Sequence, residues 1–389
     1  MPERNTMKKI QELQQVKGDA YDYYIAGNED TDLFEKIFLV DDIVEEICKP
    51  DKYFLIGEKG SGKTAYSVYM SKSDKINSFC SISLVENTLY QRFLNMKRQK
   101  ALELSSFKDV WINLIYLILA EKIRKEYGET FFSSMKYKQL SKAIDVFYSD
   151  AFKPEFVNAF EFVDNASASI NSMMKQGLFS TGTKASAETS QKYVEQSFQI
   201  SLLKIRDGFE KAFMSVNLKK PTILFVDGID ARPRDIDNEQ YFECLVGLVN
   251  AVLEMNQSFL KEKQIKIMLL IRPDIMYKMP VHNMNQKLRN NSVLLNWVTS
   301  YRKYIDSKLF KIADDYFMKQ QDYSYELGEC WNYYFPYKVE YQEKWKAPDN
   351  PFVEFLRYSL YKPRDILTML NEMVDATSGM QFKHSDLSL

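Results

Sequence analysis

The sequence predicts an α/β fold, a parallel sheet covered by helices, followed by a C-terminal helical lid. Three observations predict it. The glycine-rich stretch Gly57-Glu-Lys-Gly-Ser-Gly-Lys-Thr64 stands between an apolar run, Tyr53 to Ile56, and a segment free of Pro and Gly. Two later runs, Ile223–Val226 and Ile265–Ile271, are almost continuously apolar, as strands covered on both faces of a parallel sheet are. From Trp297 onward, Tyr301, Tyr304, Ile305, Leu309 and Phe310 recur at helical spacing.

The glycine stretch matches G-x-x-x-x-G-K-[ST] at Gly57, Gly62, Lys63 and Thr64 without a mismatch. A chance match is expected in roughly one chain of this length in a hundred, and the strand, loop, helix context lowers that. Glycines let the backbone turn tightly and bring its N–H groups close to phosphate oxygens. The helix start adds unpaired N–H groups and a partial positive charge. The predicted nucleotide-binding residues are Gly57, Glu58, Lys59, Gly60, Ser61, Gly62, Lys63, Thr64 and Ala65. Lys63 is expected on the β- and γ-phosphates, and the Thr64 hydroxyl on Mg²⁺.

Composition bounds the rest. A chain of 389 residues is long enough for two or three domains. Its formal net charge of −1 gives no global argument for nucleic acid or an anionic membrane, so a nucleic-acid partner is left open. Four scattered cysteines show no zinc-like spacing and suit a reducing cytoplasm. Two histidines disfavour a Ser-His-Asp hydrolase or a multi-histidine metal site. The polar N-terminus does not read as a signal peptide. The longest apolar run, Trp111 to Ala120, is half a membrane span and reads as a buried helix. A cytoplasmic protein without a membrane partner is the expectation.

Taken in order, residues 1–30 read as an N-terminal helical extension, 31–296 as the core, with a helical and mobile insertion around 104–217, and 297–389 as the lid. Residues 32–48 suit one or two amphipathic helices, with Asp42 and Glu45 as a capping box, and 31–40 are the candidate element beside adenine. A strand is expected over 76–84 and helices over 86–103, 106–127, 136–150 and 191–217. Small polar residues dominate 164–192, which reads as a mobile loop or short hairpin. The basic run around Lys97 and Arg98 reads as a solvated helix face.

Asp227 stands at the carboxyl end of the 223–226 strand, where ligands sit in open α/β sheets. It is the expected second Mg²⁺ ligand, and Asp230 the residue that orients the attacking water. By itself the stretch reads as a strand ending in an ordinary Asp-Gly turn, and it is the glycine loop upstream that favours the metal-binding reading. A helix follows over 239–262. Arg272, at the end of the 265–271 strand, is either a γ-phosphate sensor or a salt-bridged surface arginine. Residues 292–295 read as a strand and 297–318 as one helix. The aromatics of 320–350 read as lid core in preference to a base-stacking surface. Pro363 is expected at a helix start, with Arg364 in its first turn reaching the nucleotide.

Assembled, FLIGEKGSGKTA (Phe54–Ala65), ILFVDGID (Ile223–Asp230), LLIRPDI (Leu269–Ile275) and KPRDIL (Lys362–Leu367) resemble a P-loop ATPase of the AAA+/STAND type, close to bacterial stand-alone, FunZ-like ATPases. The resemblance implies an additional strand between the P-loop and Walker B strands, ATP with Mg²⁺, and sensor roles for Arg272 and Arg364. It also implies a homo-oligomer or a partner protein, with Arg232, Arg234 or Arg289 as candidates for an arginine supplied between subunits. DNA transactions and phage defence are both outputs of such proteins. Two departures stand out. Asp230 replaces the Glu that usually neighbours the Mg²⁺ Asp, and the chain stops at Leu389 where relatives often continue into a winged helix.

Two other readings are weighed. A P-loop kinase would need an acceptor pocket and a short arginine-rich lid. An ATP-binding scaffold with little hydrolysis is compatible with the Asp230 departure. A GTPase base-reading motif and an LSGGQ-like loop are both absent from the sequence.

Overall fold

The computed structural model describes residues 7–25, 32–85, 107–132, 137–150, 202–230, 238–279, 284–341 and 348–388. The expected mobile segment 164–192, the basic run near Lys97, the helix over 86–103, and Arg232 and Arg234 lie outside them.

The described elements are α1 (Tyr21–Ile25), α2 (Asp32–Ile37), α3 (Asp42–Cys48), β1 (Phe54–Ile56), α4 (Lys63–Lys72), β2 (Phe79–Leu84), α5 (Phe107–Phe132, interrupted at Gly128), α6 (Lys138–Asp150), α7 (202–215), β3 (Thr222–Asp227), α8 (Asn238–Asn256), β4 (Ile265–Ile271), α9 (Pro273–Lys278), α10 (Met284–Asn291), β5 (Ser292–Leu294), α11 (Lys308–Met318), α12 (Glu329–Tyr334), α13 (Phe352–Tyr358) and α14 (Pro363–Ala376). The five strands form one sheet in the order β2-β3-β4-β1-β5, so the expected intervening strand is β4. Contacts divide the chain into two units. One comprises Met1–Cys48, Ile56–Lys75 and Val293–Leu389, and the other Lys49–Leu55 and Ile76–Ser292.

In the second unit, β2, β3 and β4 run parallel, with Val226 opposite both Ser83 and Leu269. Leu269 N–H in turn donates to the Tyr53 carbonyl at 2.8 Å, which carries the ladder onto the residues entering β1. Every residue of β3 and β4 is buried, which explains why these strands read as unbroken apolar runs. Lys266 is the exception within β4, and its ammonium donates to the Lys49 carbonyl at 2.8 Å. Asn256, buried at the end of α8, accepts from Ile267 N–H at 2.9 Å and donates to the Ile267 carbonyl at 2.8 Å, which ties the helix end to β4. Helix α5 crosses α8 where Gly247 stands; a Cβ there would lie 2.6 Å from the Phe107 Cβ. Trp111 donates to the Cys244 carbonyl at 3.0 Å beside this crossing.

The first unit is built on an aromatic core. Phe310, Phe317, Trp331, Tyr334, Phe335, Phe352 and Phe355 are all buried in it, so Trp331, Tyr334 and Phe335 of the 320–350 aromatics act as core residues, whereas Tyr323 is exposed and Trp345 lies outside the described residues. Ile10, Leu13 and Val16, expected in a separate extension, lie in the same core. Asp314 is fully buried and accepts from Gly328 N–H at 2.7 Å and Trp331 N–H at 2.8 Å, fixing the start of α12. Burial raises its carboxyl above the ordinary range despite these two donors.

Three sequence readings are corrected. The 297–318 helix is instead a 3-10 turn (Tyr301–Lys303) and then α11, because Ser307 caps α11 by accepting from Phe310 N–H at 3.1 Å. The 239–262 helix ends at Asn256. Asp41, not Asp42, bonds the start of α3, accepting from Ile43 N–H at 3.1 Å, while Asp42 pairs with Lys308 at 2.6 Å.

Helix α13 ends in a Schellman motif: Tyr361 N–H reaches the Leu356 carbonyl and Leu360 N–H the Arg357 carbonyl, both at 3.4 Å. The left-handed position falls on Leu360 (φ 49°), whose side chain is exposed, and Tyr361 (φ 60°) follows in the same region. Glycine adopts this conformation without the Cβ penalty. Leu360→Gly is therefore expected to stabilise the unit by about 0.5–1 kcal/mol, after the entropy glycine adds to the unfolded chain. A denaturant midpoint that fails to rise would contradict strain at this cap.

Candidate functional site

The glycine loop leaves β1 and enters α4, which begins at Lys63 as expected. Gly60 (φ 84°) and Gly62 (φ 92°) occupy left-handed backbone that favours glycine. Gly57 is required for another reason. A Cβ there would fall 2.3 Å from the Ser61 Oγ and 3.1 Å from the Leu295 Cβ. Lys63 is buried, and its ammonium closes the loop by donating to the carbonyls of Gly57 (2.9 Å) and Glu58 (3.2 Å). Glu58 and Lys59 are exposed at the tip, whereas Thr64 and Ala65 are half-buried at the helix start.

Helix α4 is anchored behind the loop. Tyr66 donates to both Asp41 oxygens at 3.0 Å, and Lys308 bonds the same carboxylate at 2.8 Å. Burial first, and the Asp41 charge second, push the Tyr66 hydroxyl up, so it remains a donor. Phe38, in the segment expected beside adenine, stacks on Tyr69 with ring centroids 4.2 Å apart.

The lid helix meets the loop through its backbone. Pro363 occupies the first turn of α14, as the sequence predicts, and Arg364 N–H donates to the Gly60 carbonyl at 3.3 Å. The Arg364 side chain is exposed, and its Cβ lies 3.6 Å from where a Gly60 Cβ would stand.

In the other unit, Asp227 ends β3 and is buried. Its Oδ1 accepts from Gly228 N–H at 2.7 Å, and its carbonyl accepts from Val85 N–H at 2.8 Å. Gly228 (φ 82°) makes the turn, and Asp230 follows, half-buried. Because β3 and β4 are parallel, Asp227 and Arg272 lie toward the same end of their strands. Arg272 precedes α9 and forms a two-point pair with Asp274, at 2.9 and 2.8 Å. Arg289 is exposed near the end of α10.

No protein-family model matches the chain, and no curated protein or solved structure is measurably similar to it. The site is therefore judged on its own chemistry.

The residues present fit a phosphate chain. Among the described residues the Ser61 hydroxyl, buried in the loop, has no hydrogen-bond partner, and Lys63 supplies a buried cation. A buried hydroxyl without a partner is costly unless a ligand engages it. Among the described residues no three His, Cys, Asp or Glu side chains converge as a metal cluster. Mg²⁺ would need no such cluster, because it keeps several waters and binds through one or two protein groups together with phosphate. Also among the described residues, no helix is long and apolar enough to cross a membrane.

Sequence reasoning missed one residue at the loop. The Trp297 indole N–H donates to the Ser61 carbonyl at 2.9 Å. Its only sequence signal is a tryptophan just beyond a strand, and reading 297–318 as one helix hid it.

Proposed function

We propose that this chain is an ATP-binding, Mg²⁺-dependent ATP-hydrolysing molecular switch of the AAA+/STAND type, built on a P-loop fold of the additional-strand kind. The observation that carries the reading is the closed glycine loop, with Lys63 buried on the Gly57 and Glu58 carbonyls and a buried Ser61 hydroxyl that has no partner among the described residues. The strand order, with β4 between β1 and β3, supports it.

In this reading the loop N–H groups and Lys63 bind the β- and γ-phosphates. Thr64 and Asp227 would be the residues that hold Mg²⁺, which would supply charge neutralisation on the phosphate oxygens. Asp230 orients a water for in-line attack on the γ-phosphorus. The bond to the ADP oxygen breaks, and ADP, phosphate and a proton leave. Arg364 reaches the nucleotide from the lid. Arg272 serves as a sensor only by exchanging Asp274 for a phosphate oxygen. Exposed and paired as it is, that ion pair is worth little, so the exchange is cheap. A homo-oligomer or a partner protein would receive the switch's output, with nucleic acid an untried third candidate.

The test is ATP binding and phosphate release by the intact chain with Mg²⁺, over a range of protein concentrations. Binding with turnover supports the reading; neither binding nor turnover removes it. Asp230→Asn is expected to slow phosphate release about a hundredfold or more while ATP stays bound. Undiminished turnover would take Asp230 out of the mechanism, and tight binding without turnover in the unaltered chain would favour the scaffold reading.

A further inference from the structure

The glycine loop is gripped from outside by a group that the proposed chemistry does not use. Leu295 N–H donates to the Ile56 carbonyl at 2.8 Å, so the chain leaving β5 runs beside the chain leaving β1. Two residues later Trp297 reaches the loop and bonds the Ser61 carbonyl, while its ring packs against the aromatic core of the same unit.

A trans peptide is planar, and its C=O and N–H point opposite ways. Holding the Ser61 carbonyl toward Trp297 therefore turns the Gly62 N–H away from it. Glycine at 62 tolerates more than one backbone conformation, so the sequence of the loop alone does not choose the peptide's orientation. An external donor does. Arg364 N–H takes the preceding carbonyl, Gly60, in the same manner. Both carbonyls at the turn of the loop are thus bonded by residues that follow β5.

We propose that Trp297 is a positioning residue of the phosphate-binding loop. Its indole fixes the Ser61–Gly62 peptide so that the Gly62 N–H is presented to the phosphate chain of a nucleoside triphosphate. The inference rests on the ATP reading above. It adds that affinity depends on a donor outside the glycine motif, attached to the core that also carries the lid helix.

Trp297→Phe keeps an aromatic ring and deletes the N–H. Binding of a fluorescent ATP analogue with Mg²⁺ to the full-length variant is expected to weaken about three- to tenfold, the worth of one hydrogen bond. The denaturant midpoint should stay near that of the unaltered chain, whereas a merely structural role would move the midpoint and leave affinity alone. Lys63→Ala serves as the reference for loss of the site. If the unaltered chain binds, Lys63→Ala does not, and Trp297→Phe binds as well as the unaltered chain, the inference is overturned and the ATP reading stands. If the unaltered chain binds no ATP analogue, both fall. Should Trp297→Phe not fold, the indole N–H resonances of the unaltered chain decide. The Trp297 signal is expected to shift on adding ATP and Mg²⁺ while those of Trp111 and Trp331 stay. A Trp297 signal that does not move overturns the inference.

Discussion

Replacing Lys63 by alanine is expected to weaken Mg²⁺-ATP binding by about a hundredfold or more and to abolish turnover. Lys63 is the one buried cation of the loop, and its ammonium sits on the Gly57 and Glu58 carbonyls. A charged donor aimed at phosphate in a water-poor site is worth several kcal/mol, and removal of one preorganised donor typically costs about two to three orders of magnitude. The substitution also takes the ammonium donor from the Gly57 and Glu58 carbonyls, of which Glu58 keeps the Ser61 N–H at 3.2 Å. Titration with ATP should therefore be paired with a thermal melt. Lost binding with a native-like melting temperature assigns the effect to the phosphate site. Full binding and turnover in Lys63→Ala would sink that assignment.

Trp331→Ala is expected to lower stability by about 3–5 kcal/mol, the range for deleting a large buried aromatic side chain. Trp331 is fully buried and lies within ring-contact distance of Phe310, Phe317, Phe335, Phe352 and Phe355, with centroid separations from 4.2 to 6.3 Å. These rings come from α11, α13 and the turn after α12, and Trp331 itself from α12, so one cavity would loosen several elements together. Its indole N–H also donates to Asn350 Oδ1 at 3.2 Å, a bond that alanine cannot replace. Denaturant unfolding followed by near-ultraviolet circular dichroism should show an early transition for this aromatic core. An unchanged midpoint would mean that the core is not what holds the unit together.

The sequence by itself determined the elements whose signals are local. β4 spans Ile265–Ile271 and α4 Lys63–Lys72 as read, because an unbroken apolar run and a glycine-bounded helix start need no distant partner to be recognised. The glycine loop and the Pro363 helix start were legible for the same reason, since backbone conformation there is dictated by residue type. The intervening strand was reached through resemblance, not from the residues. Tertiary structure alone decided what depends on long-range pairing. It placed Ile10, Leu13 and Val16 in the aromatic core and gave Asp41 to both Tyr66 and Lys308. It paired Arg272 with Asp274 and set Trp297 on the Ser61 carbonyl. A side chain's partner is fixed by which backbone segments the sheet register brings side by side. Here the β1–β5 pairing sets Leu295 against Ile56 and so carries Trp297 to a loop far from it in sequence.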